Sequence, residues 1–151
     1  MKSVWGILLL LSACSLRPQA AGFTHLSYTV VGGKPAAAHE RLQLDCTNRT
    51  ASLRRWQPFN NDEENHQAEL TAQQCQTIQQ YAENICINDS QGETDIADGA
   101  TYTLECSNDQ HQHSQWRWLE SNQSRPQPYL QWHRYSRELI DQLFGQVPRY
   151  N

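Results

Sequence analysis

The fold of this chain starts from a predicted β-hairpin, Leu42-Gln43-Leu44-Asp45-Cys46-Thr47-Asn48-Arg49-Thr50-Ala51-Ser52-Leu53-Arg54-Arg55-Trp56. Leu42, Leu44 and Cys46 alternate with polar residues, which is typical of a strand with one buried face. The residues around Asn48 predict a tight reversal, because asparagine tolerates turn geometry. An arginine-rich strand follows the reversal, so the segment predicts two strands joined by a short turn.

The rest of the chain contains further strand patterns separated by polar segments. Alternating apolar and aromatic residues predict strands at residues 23–31, 101–106 and 115–120, and a short edge strand at residues 129–133. Residues 58–67 are polar and include an acidic cluster, so we interpret them as a loop.

Two helices are predicted from amphipathic patterns and from the chemistry of their ends. Thr71-Ala72-Gln73-Gln74 matches a capping box, and the helix should continue to about Asn84. A last helix should begin at a cap on Ser136 and end at Gly145.

The order of these elements, β-β-β-α-β-β-(β)-α, predicts the fold class. Strands come in hairpins rather than alternating singly with helices. We therefore expect an α+β domain at residues 23–146, followed by a tail at residues 147–151. Its mostly antiparallel sheet should have five or six strands, with two helices packed on one face.

The first residues predict export. Lys2 precedes an apolar run at residues 4–11, which is too short to span a bilayer and fits the core of a signal peptide. The run ends in Leu11-Ser12-Ala13-Cys14, which resembles the lipobox of bacterial lipoproteins. In that family the cysteine receives a diacylglyceryl group, the peptidase cuts before it, and the new amino group is usually acylated. The resemblance implies a signal peptide at residues 1–13 and a lipid, with palmitate among its acyl chains, on Cys14.

The resemblance also implies a location. Ser15 is not the aspartate that favours inner-membrane retention in this family, so the outer membrane, facing the periplasm, is expected. Residues 14–22 form the lipidated tether, of which residues 15–22 reach ~26 Å at ~3.3 Å per residue. The alternative is an ordinary signal peptide cut after Ala20 or Ala21, which would place an unfavourable residue at the −3 position.

The remaining four cysteines predict two disulfides, since an exported chain meets an oxidising compartment. A zinc site is the rival interpretation, but the chain has no C-x-x-C pair. A helix returning antiparallel to the third strand would bring Cys86 back to Cys46, and the next strand would carry Cys106 to Cys75. We therefore expect Cys46–Cys86 and Cys75–Cys106, whereas Cys46–Cys75 would reverse the helix direction.

Catalytic signatures are absent from the sequence. It contains no G-x-S-x-G, no H-E-x-x-H and no phosphate-binding glycine loop. His111 and His113 are weak candidates for a metal site, because residues two apart share a face of a strand but no third ligand is evident. Trp116, Trp118 and Trp132 could form an exposed aromatic platform, although we expect them in the core. No cofactor and no nucleic-acid partner are expected.

The charge pattern is uneven. Residues 57–113 contain no Lys or Arg and hold most of the 16 acidic residues. One interpretation is internal complementarity with the basic hairpin. The other is an acidic surface at Asp62, Glu63, Glu64 and Glu69 that steers a cationic partner.

These patterns predict a lipid-anchored, non-enzymatic binding or structural domain of the bacterial cell envelope with a protein partner. The first alternative is an inhibitor or immunity protein that blocks a protease or an exported toxin through an acidic surface. The second is an envelope enzyme with an unrecognised site.

Overall fold

A six-stranded antiparallel sheet is the framework of the protein. The computed structural model describes residues 22–33, 38–59, 62–86, 99–110, 113–119 and 127–145. The strands are β1 His25–Val31, β2 His39–Asp45, β3 Thr50–Trp56, β4 Glu63–Glu69, β5 Thr101–Ser107 and β6 His113–Leu119. They lie in the order β4-β3-β2-β1-β5-β6, and the helices are α1 Ala72–Cys86 and α2 Gln127–Phe144.

The predicted hairpin is confirmed as β2 and β3, with a four-residue turn at residues 46–49. The Asn48 backbone N–H and side-chain amide both donate to the Asp45 carboxylate, at 3.0 and 2.7 Å. Arg49, rather than Asn48, takes the left-handed conformation, with a φ of 55°. The asparagine therefore stabilises the turn through its hydrogen bonds and not through its backbone angles.

Strand β4 lies where the sequence predicts a loop, so that prediction is wrong. Among the described strands, β4 pairs with β3 alone, at one edge of the sheet. Its residues include no aromatic or β-branched side chain, because an edge strand with one solvent-exposed face does not need them. The extra strand reverses the chain once more, so the first helix starts beside the turn between β2 and β3.

Helix α1 begins at the predicted capping box, which is confirmed. The Gln74 N–H donates to the Thr71 hydroxyl at 3.1 Å, and the Thr71 N–H donates to the Gln74 side chain at 2.8 Å. The Leu70 N–H donates to the Arg49 carbonyl at 2.9 Å, so the helix starts over β3. Its other end is joined to β5 by a Cys86–Cys106 disulfide, so α1 runs across the strands.

Helix α2 contains the segment 129–133 that we expected to be an edge strand, and Ser136 lies inside the helix rather than at its cap. Both predictions are wrong because aromatic residues favour strands locally, whereas here they pack at helical spacing. The Ser136 hydroxyl donates to the His133 carbonyl at 2.8 Å. The buried residues of α2 are Tyr129, Trp132, Ser136, Leu139 and Ile140. Gly145, with a φ of 75°, ends the helix as predicted.

Both helices pack on one face of the sheet, which confirms the α+β fold class. We call this the covered face. The Trp132 ring is fully buried between Tyr28 of β1 and Tyr81 of α1, with centroids 5.8 and 5.9 Å away. Trp116 is also buried, so the expected core positions of these two tryptophans are confirmed; the Trp118 side chain lies outside the described part.

A cluster of three charged side chains lies at one end of the covered face. Arg55 of β3 donates to Glu40 of β2 at 2.7 Å, and Arg137 of α2 contacts the other Glu40 oxygen at 2.5 Å. The Arg55 and Glu40 side chains are only 7% and 13% exposed, so the cluster is largely shielded from water. It connects the second helix to the basic hairpin.

The disulfide prediction is wrong in its pairing. Cys86 is bonded to Cys106, which excludes Cys46–Cys86 and Cys75–Cys106, while Cys46 and Cys75 carry thiols. The physical reason is β4. Without that strand, α1 would return towards the Cys46 turn; with it, α1 starts at that turn and carries Cys86 away from it.

Candidate functional site

The second face of the sheet, which we call the open face, carries polar side chains at the end nearest the β2–β3 turn. Because side chains alternate along each strand, paired residues form rows across the six strands. The first row is Glu69, Thr50, Asp45, His25, Ser107 and His113. The second row is Gln67, Ser52, Gln43, Ser27, Glu105 and Gln115.

All residues of these two rows except Gln115 line a groove of about 810 Å³ that crosses all six strands. Three carboxylates face it, those of Asp45, Glu69 and Glu105, together with the imidazoles of His25 and His113. Among the described residues that line this acidic groove, none is a lysine or an arginine. The groove therefore presents negative charge and many neutral hydrogen-bonding groups.

His25 is held by three neighbours at the centre of the acidic groove. Its Nε2 lies 3.3 Å from an Asp45 oxygen, and its Nδ1 lies 2.9 Å from the Thr24 hydroxyl and 4.0 Å from an Asp109 oxygen. Hydroxyl, imidazole and carboxylate follow one another as in a proton relay. Thr24, however, is the chain neighbour of His25 and does not line the groove, so its hydroxyl orients the ring.

Asp45 is the most strongly held carboxylate of the groove. Partial burial raises its pKa, but hydrogen bonds from Asn48 and the nearby His25 outweigh this effect and leave the pKa below its ordinary value. Asp45 therefore stays ionised at neutral pH. It contributes a permanent negative charge to the groove.

The four acids predicted as a partner surface do not lie together. Glu63 pairs with Arg54 at 2.8 Å on the open face, whereas Glu64 lies 3.7 Å from His66 on the covered side of β4. A hydrogen bond from Asn65 and another from Arg54 lower the pKa of Glu63. Asp62 precedes the strand, and only Glu69 reaches the acidic groove. The Arg54–Glu63 pair supports internal complementarity for this part of the chain.

Asp45 and Glu105, two carboxylates of the groove, were missed by sequence reasoning. Both occupy outward positions of strands, between residues that point into the core. That alternation was visible in the sequence. The order of the strands was not, and it is the order that brings β2 and β5 to either side of β1.

The opposite end of the open face is basic and aromatic. The Trp56 ring lies beneath the guanidinium groups of Arg54 and Arg41, at 5.1 and 5.9 Å, and 5.3 Å from the His39 ring. Burial lowers the pKa of His39. The open face thus has an acidic end, where β1 begins, and a basic end.

Of the other predicted site residues, one lies in the acidic groove and the rest are outside the described part of the chain or in its core. His113 lines the acidic groove, while His111, Cys14 and the lipobox lie outside the described residues. Within the described ranges, no three His, Cys, Asp or Glu side chains come together as a metal site. Neither described helix is long and apolar enough to cross a membrane.

Comparisons with known proteins assign neither a family nor a function to this chain. No protein-family model, no curated protein and no solved structure matches this chain.

Proposed function

We propose that this protein is a lipid-anchored, non-enzymatic binding domain of the bacterial cell envelope that holds a cationic segment of a protein partner in its acidic groove. The observation that carries the proposal is the groove itself. It lies on the sheet face that no described helix covers, and it presents Asp45, Glu69 and Glu105 with no basic side chain among its described lining residues. Opposite charge would steer a basic partner to it and disfavour acidic ones.

The dimensions of the groove favour an extended peptide. Six strands at ~4.8 Å spacing give a length of ~24 Å, which matches about seven extended residues. Glutamine, serine and threonine side chains along it can donate to and accept from a peptide backbone. Cationic side chains of the peptide would reach Glu69 at the β4 end of the groove and Asp45 and Glu105 farther along it.

The anchor rests on the lipobox resemblance at Leu11-Ser12-Ala13-Cys14. Residues 22–24 enter β1 at the acidic end of the open face. A tether of residues 14–22 would hold that end near the lipid surface. Replacing Cys14→Ser should abolish metabolic palmitate labelling and release the protein from outer-membrane fractions; unchanged labelling would contradict the anchor.

The binding proposal is tested with a fluorescent seven-residue peptide of alternating lysine and glycine. We expect the double variant Glu69→Gln and Glu105→Gln to weaken binding at least tenfold in fluorescence anisotropy, and the affinity of the unaltered protein to fall as salt rises. Glu83→Gln is the matched control, because Glu83 is an exposed acid on α1, away from the groove. Equal affinities for all three proteins would overturn the proposal.

The same groove supports the second candidate, an inhibitor or immunity protein whose basic target is a protease or an exported toxin. The two candidates differ in what binding does to the partner. Once a partner is crosslinked through the groove, an unchanged catalytic activity of the partner favours a binding domain. Loss of that activity, restored by the Glu69→Gln and Glu105→Gln variant, favours an inhibitor.

A further inference from the structure

Two thiols meet where the β2–β3 turn contacts the start of α1. Cys46 is the first residue after β2, and Cys75 lies in the first turn of the helix, where its N–H donates to the Thr71 carbonyl at 3.0 Å. The Cys46 Sγ lies 3.8 Å from the Cys75 carbonyl oxygen. Cys75 is buried and Cys46 is half-buried.

The surroundings of the pair favour an uncharged sulfur. Burial raises the pKa of the Cys46 thiol, and contact with the Cys75 thiol raises it further. A buried thiol of this kind is a poor nucleophile and a poor metal ligand, since both roles need the thiolate. A disulfide fits the same site, because it carries no charge and needs no hydrogen-bond partner.

We infer that Cys46 and Cys75 are a second disulfide site, which is oxidised when the chain is exported. The 3.8 Å approach of the Cys46 Sγ to the Cys75 backbone carries this inference. Cys86 and Cys106 are already bonded to each other, so among the described cysteines Cys46 has Cys75 as its one remaining partner.

The oxidant would be the disulfide of an exported thiol oxidoreductase. A Cys46 or Cys75 thiolate attacks that disulfide and forms a mixed disulfide, and the second thiolate then displaces the enzyme. Two protons leave the substrate thiols, and two electrons pass to the oxidoreductase, which departs as a dithiol. Because the folded protein buries Cys75 and half-buries Cys46, exchange should proceed while the chain is still incompletely folded.

The second bond would hold α1 to the sheet at both of its ends. Cys75 lies in the first turn and Cys86 is the last residue of the helix, so the two disulfides would join it to the ends of β2 and β5. The loop closed by Cys46 and Cys75 contains the whole β3–β4 hairpin. Closing a loop of this length restricts the unfolded chain strongly, which stabilises the folded one.

Peptide mapping of the full chain, purified from the cell envelope and alkylated under denaturing conditions without reductant, tests the inference. We expect one crosslinked peptide pair containing Cys46 and Cys75, two hydrogen masses below the sum of the reduced peptides, besides the Cys86–Cys106 pair. Alkylated Cys46 and Cys75, or either residue linked to a different cysteine, would overturn the inference.

A stability measurement distinguishes a covalent Cys46–Cys75 bond from non-covalent packing of two thiols. The double variant Cys46→Ser and Cys75→Ser should melt about 10 °C below the oxidised protein. Reductant should lower the melting temperature of the variant only by the contribution of Cys86–Cys106. It should lower the melting temperature of the oxidised protein by that contribution and by about 10 °C more. Identical reductant sensitivity of the two proteins would contradict a second disulfide.

Discussion

The two faces of the sheet are built from neighbouring residues of the same strands, yet they serve different purposes. On β2, Leu42 is completely buried beneath the helices, while Gln43 points from the open face into the acidic groove. On β3, Arg55 lies in the shielded ion cluster and Arg54 in the basic end of the open face. A shift of one residue therefore separates positions that stabilise the fold from positions available for binding.

The largest difference between the two faces in the effect of a substitution on the free energy of unfolding should appear on β2. Leu42→Ala removes a fully buried side chain and should lower the free energy of unfolding by ~2–5 kcal/mol, because a cavity remains in the core. Gln43→Ala, one residue along, should change it by less than ~0.5 kcal/mol. Denaturant titration of both variants measures the contrast, and similar losses would contradict the division into two faces.

The ion pairs of the adjacent residues Arg55 and Arg54 should differ next most in their contribution to stability. Glu40→Ala leaves the buried Arg55 without its carboxylate and should cost ~3–5 kcal/mol. Glu63→Ala removes the partner of Arg54 in an exposed pair, and its unfolding midpoint should match that of the unaltered protein. If both changes left the midpoint unaltered, the Glu40 cluster would not stabilise the covered face.

A smaller effect is expected at the start of α1, in the layer that covers the core. Thr71→Ala removes the hydroxyl that accepts the Gln74 N–H and should cost ~1 kcal/mol. Thr77→Ala is the control, since the half-buried Thr77 lies in the interior of the same helix, where its hydroxyl donates to the Gln73 carbonyl and accepts no N–H of the first turn. Thermal melts of the two variants should differ by several degrees, and equal melts would mean that the capping box contributes little.

The smallest effect concerns Asp45 on the open face. Its pKa is lower in the folded protein than its ordinary value of ~3.9, so its contribution to stability is complete above about pH 4. That contribution is lost as the pH falls through the lower folded-state pKa. Asn48→Ala removes the side-chain hydrogen bond that holds the charged form and keeps the one from the backbone N–H, so the variant should lose less stability than the unaltered protein as the pH falls below about 4. An unchanged acid profile would exclude this role for Asn48.

Local sequence patterns predicted the structure correctly where each pattern had one physical cause. Alternation predicted β1, β2, β3, β5 and β6 because each places apolar residues on the covered face. The reciprocal hydrogen bonds of Thr71 and Gln74 involve residues three apart, so residue types alone predicted the helix start. Gly145 ended α2 for an equally local reason, its tolerance of a positive φ.

Local sequence patterns predicted the wrong element where contacts with distant residues determine the secondary structure. The segment of β4 has weak strand propensity, and pairing with β3 makes it a strand. The aromatic residues at the start of α2 favour a strand locally. They become helical because Tyr129 packs on Trp116 at 3.9 Å and Trp132 on Tyr28, contacts with two separate strands.

By itself, the sequence determined the α+β class, most of the strands, the start of α1 and the end of α2, because these depend on periodicity and on residues a few positions apart. The tertiary structure alone decided the strand order, the direction of α1, the cysteine pairing and the acidic groove. The physical reason is that each of these depends on which distant segments pair: β4 reverses the chain before α1, and β5 joins β1 opposite β2. That order places Asp45, Glu105 and Glu69 along one groove, although they are far apart in the chain.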